Sequence, residues 1–109
     1  MAGRKPVLTV TLSRAADNEL DRIYRYTLGE HGLGAADRHM ALLQAKMASL
    51  STDYNKGKSV MGWPDLRYLL MKKRNSGDGH IAVYRIDEAS ATVEVWFIFH
   101  TKQDWENKL

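Results

Sequence analysis

Val7-Leu8-Thr9-Val10-Thr11-Leu12-Ser13-Arg14-Ala15-Ala16-Asp17-Asn18-Glu19-Leu20 is the stretch in which the periodicity of the chain changes. Up to Leu12 apolar and polar residues alternate, with Leu8, Val10 and Leu12 on one side, which predicts a strand. Ser13 stands where a helix N-cap belongs, and Asp17 and Glu19 follow where negative charge suits a helix start. From Arg14 onward Ala16, Leu20, Ile23, Tyr24, Thr27 and Leu28 fall on one helical stripe. Gly32, after Glu30-His31, is available for a left-handed cap.

Working outward, Ala36, Met40, Leu43, Met47 and Leu50 recur at spacings of three and four, which predicts a second helix from about Ala35 to about Ser51. The Gly32-Leu33-Gly34 link is short enough to force an antiparallel helical hairpin. Met40 and Met47 read as core filler. Asp53 to Asp65, with Lys56-Gly57-Lys58 and Trp63-Pro64-Asp65, reads as a loop. Three strand-like runs follow: Leu66 to Lys73, His80 to Ile86 and Thr92 to His100. The turn cluster Asn75-Ser76-Gly77-Asp78-Gly79 and the segment Asp87 to Ala91 join them into an antiparallel meander. The predicted fold is therefore α+β: N-terminal strand, helical hairpin, three-stranded meander.

The 109 residues suffice for one domain, expected to span 1–109. The formal charge of +3 and pI near 9.3 favour an acidic partner over a basic one and serve solubility. With no cysteine, disulfides, thiol nucleophiles and thiolate zinc sites are excluded. No His–carboxylate spacing matches a metal motif, so no metal and no cofactor are expected. The first residues carry charge without an apolar run behind it, and no stretch approaches membrane-spanning length, so a cytoplasmic protein without membrane contact is expected.

In the last run Trp96 and Ile98 alternate against Val93, Val95, Phe97 and Phe99, and both sets are apolar. In the run before it Ala82, Tyr84 and Ile86 alternate against Ile81, Val83 and Arg85. One helical hairpin covers one face of a small sheet. Either the other face is an exposed partner site, or the 53–65 loop and the C-terminal tail cover it.

Four segments, in order and on the expected elements, carry a family resemblance. Asn18-Glu19-Leu20-Asp21-Arg22-Ile23-Tyr24-Arg25-Tyr26, Leu66-Arg67, His80-Ile81-Ala82-Val83-Tyr84-Arg85-Ile86, and Val93-Glu94-Val95 with Ile98-Phe99-His100-Thr101-Lys102-Gln103-Asp104-Trp105 resemble the motifs of ParE toxins in the RelE/ParE superfamily. Phe97 and Lys102 depart from it, each standing where the family often has Arg. The resemblance implies the toxic half of a bacterial type II toxin–antitoxin pair. It implies neutralisation by a ParD-like antitoxin, inhibition of DNA gyrase by binding, and contact with operator DNA only through the antitoxin. The alternatives are a RelE-like ribosome-dependent mRNA endonuclease and a non-toxic module that binds an antitoxin and tunes operon repression.

Endonuclease chemistry needs a base, cations at the phosphate and an acid for the leaving oxygen. RelE-like sites are similar to a Lys/Arg cluster with a C-terminal Tyr, and this chain has no Tyr after Tyr84. An action by binding, with no catalytic residue, is therefore expected. His100, Lys102, Asp104 and Trp105 are the candidate target contacts, with Trp105 as anchor unless it folds back onto the core. Candidate antitoxin contacts are Arg67, Arg85, Val95 and Phe97, or Arg22 and Arg25 on the helical hairpin. His80 and His100 meet at the same end of one hairpin as a possible acid–base pair, or His100 simply caps its strand. His31 and His39 read as solvated, as do Lys72-Lys73-Arg74 at the hairpin tip and Lys56-Gly57-Lys58.

Overall fold

The computed structural model describes residues 6–73 and 78–109. Arg74 and most of the turn cluster, Asn75-Ser76-Gly77, lie outside the described residues. The elements in order are β1 (Thr9–Leu12), α1 (Arg14–His31), α2 (Leu33–Ala48), a 3₁₀ turn (Ser49–Ser51), β2 (Lys58–Val60), β3 (Trp63–Met71), β4 (His80–Asp87), β5 (Thr92–His100) and a second 3₁₀ turn (Trp105–Lys108). The strands form one sheet in the order β1-β5-β4-β3-β2. The meander is antiparallel as predicted, but β1 runs parallel to β5, which makes the sheet mixed.

Ser13 accepts from the Ala16 N–H at 3.0 Å, satisfying one of the unpaired donors at the start of α1. Ala16, Leu20 and Ile23 are buried. Gly32 has φ +89° and donates to the Leu28 carbonyl, a conformation that favours a residue without Cβ. Gly32 alone joins the helices: Leu33 and Gly34 already belong to α2, so the link is shorter than the sequence suggested. The predicted α2 seam packs inward, with Ala36, Leu43, Met47 and Leu50 buried.

The segment read as a loop contains a strand. β2 pairs with the beginning of β3, and β3 starts at Trp63, three residues before Leu66. Gly62, at φ +82°, supplies the turn between them.

The helices cover one face of the sheet, hereafter the inner face. Its core joins Leu20, Leu43 and Leu50 to Tyr84, Val93 and Val95. The outer face holds a second cluster, in which Val60, Leu66, Ile81, Val83 and Trp105 are buried and Tyr68, Trp96, Phe97, Phe99 and Leu109 pack against them. The C-terminal tail thus covers the outer face in part, while β2 extends the sheet at its edge and adds Val60 to that face.

The expected faces of β5 need correction. Val83 pairs with Phe97 but Tyr84 pairs with Val95, leaving Trp96 as an extra residue. This bulge shifts the alternation by one. Val93, Val95 and Ile98 point inward, whereas Trp96, Phe97 and Phe99 pack outward. Ser13 Oγ donates to the Trp96 carbonyl and the Ser13 N–H donates to the Val95 carbonyl at 2.9 Å. One residue therefore caps α1 and satisfies the backbone that the bulge removes from the ladder.

Candidate functional site

The C-terminal segment begins where β5 ends. The His100 N–H donates to Gln103 Oε1 at 2.7 Å, and the Lys102 N–H donates to His100 Nδ1 at 3.1 Å. Thr101 exchanges two bonds with Gly79, through its N–H at 3.0 Å and its Oγ1 at 3.1 Å. The turn is therefore fixed to the start of β4. Of the predicted target contacts, Lys102 and Asp104 are exposed. Lys102 bridges to Asp78 at 3.2 Å, and Asp104 accepts from the Asn107 side chain at 2.7 Å. His100 is half-buried and does cap its strand, while its ring also meets that of His80 at 5.2 Å.

Trp105 is folded back. It is 7% exposed, with its ring 5.0 Å from that of Tyr68 and stacked at 6.3 Å on Phe99. In this conformation it closes the outer face rather than projecting from the tail.

Beside it, Lys56, Lys58, Tyr68, Lys72 and Glu106 line a cavity of about 500 Å³ with Trp105. The loop that carries Lys56 is held by Tyr84. Its hydroxyl donates to the Tyr54 carbonyl at 2.7 Å and accepts from the Gly57 N–H at 3.0 Å. A Cβ on Gly57 would lie 2.2 Å from the Tyr84 hydroxyl oxygen, so only glycine fits. Arg67, a candidate partner contact, donates to the carbonyls of Gly57 at 3.0 Å and Asn55 at 3.3 Å. Its guanidinium fastens the same loop. Three lysines from two separate segments thus line one cavity with a tyrosine, an arrangement that spacing along the chain does not reveal, because Lys56-Gly57-Lys58 and Lys72 read as separate solvated runs.

The other candidates divide. Arg85 bridges to Glu94 at 3.3 Å, and Glu94 also accepts from the Trp96 indole at 3.2 Å. This polar group lies on the same face as Phe97. Val95, at 0% exposure, is sealed beneath the helices and shares no face with Phe97. Arg22 and Arg25 stand out from α1, bridged along the helix to Glu19 at 3.8 Å and Asp21 at 2.9 Å. Both arginines are exposed, and such surface pairs add little to stability. His39, read as solvated, is half-buried, with its ring 5.3 Å from that of His80.

A helical hairpin on a mixed five-stranded sheet matches the fold of RelE/ParE-like toxins. The chain belongs to the family described as the ParE toxin of the type II toxin–antitoxin system parDE, whose pattern matches residues 10–105. Among solved structures it is similar to the chromosomal ParDE toxin–antitoxin system of P. aeruginosa. There the TM-score is 0.72 at 18% identity, covering 88% of this chain and 98% of that one. It is also similar to a mutant of the E. coli toxin RelE in the free state, at TM-score 0.64 and 14% identity over 94% and 92% of the two chains. The intact E. coli RelBE toxin–antitoxin complex gives TM-score 0.54 at 18% identity over 88% and 99%. No curated protein matches by sequence. At these identities the solved structures establish the fold, and the family match establishes a ParE-type toxin.

Proposed function

We propose that this ParE-type toxin acts in the cytoplasm by binding DNA gyrase, that a ParD-like antitoxin neutralises it, and that it reaches operator DNA only through that antitoxin. The observation that carries the binding mode is the C-terminal turn. Its backbone is fixed to β4 through Gly79 and Thr101, while Lys102, Asp104 and Glu106 remain exposed. A rigid display of charge loses little entropy on association. Among the described residues no helix is long and apolar enough to cross a membrane, consistent with a partner in solution. The net charge of +3 and the exposed Arg22 and Arg25 suit an acidic antitoxin segment.

One observation favours the endonuclease alternative. Lys56, Lys58 and Lys72 converge with Tyr68 on one cavity, which offers phosphate-binding cations beside a hydroxyl. Tyr68 packs against Trp105, however, and this reading requires the tail to move.

Co-expression with the product of the adjoining gene tests the pairing. Capture of a small antitoxin, with growth arrest when the toxin is induced alone, is the expected result. A stable, harmless chain that captures no neighbour refutes it, and harmlessness with capture selects the non-toxic regulatory module.

A further inference from the structure

All four histidines of the chain, His31, His39, His80 and His100, line one cavity of about 520 Å³ at the end of the helical hairpin. They arrive from four elements. His31 ends α1, His39 lies on α2, His80 opens β4 and His100 closes β5. The β4–β5 register sets His80 opposite His100, and the His80 ring stands within 5.3 Å of His39 and 5.2 Å of His100. Among the described residues, His80 Nδ1 is the one buried side-chain polar atom without a hydrogen-bond partner. Such an atom calls for a ligand or a functional explanation.

Burial, followed by the proximity of His39 and His100, holds the His80 pKa down to about 4. Burial lowers that of His39 as well. His80 is therefore neutral near pH 7, with its Nδ1 unmatched. Among the described residues no three His, Asp or Glu side chains are arranged to hold a metal ion, so the cavity is not a preformed metal centre. Of the charged groups facing it, α1 supplies Glu19 and Arg22, paired at a long 3.8 Å. On the other side of His39, Arg38, Lys72, Lys73 and Asp78 line the adjoining cavity. Tyr26, 66% exposed, stands with Arg22 at the mouth, and Tyr and Arg are the residue types on which protein interfaces concentrate binding energy.

We propose that this cavity receives a carboxylate side chain of the antitoxin, and that its entry takes up one proton shared with the His39–His80–His100 cluster. The inference rests on the antitoxin reading given above. A carboxylate entering beside neutral imidazoles and the apolar wall of Ile23 and Ala35 brings an uncompensated charge. A proton removes that penalty, either as an imidazolium–carboxylate pair or as a carboxylic acid bonded to a neutral imidazole. The proton count is the same in both forms, and either gives His80 a partner. Above about pH 7 the separated proteins lack this proton at His80 and His39, whose pKa values burial holds down, and a free carboxylate has lost its own. The complex holds one more proton than its parts, so its affinity falls as pH rises, by about tenfold per pH unit. A carboxylate held by Arg22 alone has no such slope, because guanidinium does not titrate in this range.

The experiment uses the antitoxin captured by co-expression. Its Kd for the toxin is measured from pH 7 to pH 8.5, with calorimetry in two buffers of different ionisation heat to count protons. Expected are an about tenfold weakening per unit and uptake of one proton. His80→Gln, with its melting temperature retained, binds more weakly at pH 7 and loses both signals. His39→Gln, on α2, serves if the first variant does not fold. Binding by the wild type without slope or proton uptake overturns this inference alone, as does a slope that survives in a folded variant. Failure of the antitoxin to bind at any pH overturns the antitoxin reading and this inference with it.

Discussion

The two faces of the sheet are covered in different ways. The inner face lies under two long helices whose apolar stripes meet it along their length, and Leu43, Leu50, Tyr84, Val93 and Val95 are sealed there. The outer face is covered only in part, by a four-residue 3₁₀ turn, and its Tyr68, Trp96, Phe97 and Phe99 remain half-buried. Stability should therefore reside mainly on the inner side, and the capacity to meet partners mainly on the outer side and at the rim of the hairpin. A cover made of one tail has few interactions to lose and opens at lower free energy than the body.

The largest effect should come from the inner core. Leu43→Ala is expected to cost about 3 kcal/mol in urea unfolding, through lost burial and the cavity left behind. Trp105→Ala should cost less, about 2 kcal/mol, because the short tail relaxes away instead of leaving a rigid void. Hydrogen exchange should then show the 104–109 segment opening while the turn tied to Gly79 and the helices stay protected. A Trp105→Ala loss equal to that of Leu43→Ala, with uniform exchange, would erase the distinction between the faces. Removing the Tyr84 hydroxyl should follow at about 1–2 kcal/mol, since Tyr84→Phe strands the Gly57 N–H and the Tyr54 carbonyl. Ser13→Ala should cost about 1 kcal/mol, as the cap is lost together with the bond to the Trp96 carbonyl. An unchanged melting temperature in that variant would show that the bulge holds without its serine.

The most specific effect concerns pH. The His80 pKa lies at about 4 in the fold and near 6.5 in an unfolded chain. The unfolded chain therefore binds more protons between these values. The stability contributed by neutral His80 is present above about pH 6.5 and lost as pH falls towards about 4. His80→Gln should flatten the stability profile in that window. The same slope in wild type and variant would assign the acid sensitivity elsewhere.

The inner face was legible in the sequence because long periodic elements build it. The Ala36-Leu43-Met47-Leu50 seam, the Ser13 cap and the three meander strands were each visible in spacing alone. The outer face was not. β2 was hidden because Gly62 and Pro64 signal a loop, and a three-residue strand has no period to detect. The bulge at Trp96 was hidden because a run that is apolar on both faces carries no phase, so nothing in Val93 to Phe99 marks where alternation slips. The lysine cavity and the histidine cavity were hidden because each gathers residues from segments far apart in the chain. Spacing reveals partners on one element, while these sites depend on sheet register and on the fold of the tail.

The central claim is action by binding, and the purified toxin tests it most directly. Supercoiling by DNA gyrase and cleavage of ribosome-bound message are measured side by side, with wild type and a Lys56→Gln/Lys58→Gln/Lys72→Gln variant. The account predicts that the wild type inhibits supercoiling and leaves the message intact, and that the triple variant still inhibits gyrase. Message cleavage by the wild type, lost in the triple variant and accompanied by undisturbed supercoiling, would contradict it and make the lysine cavity the working site.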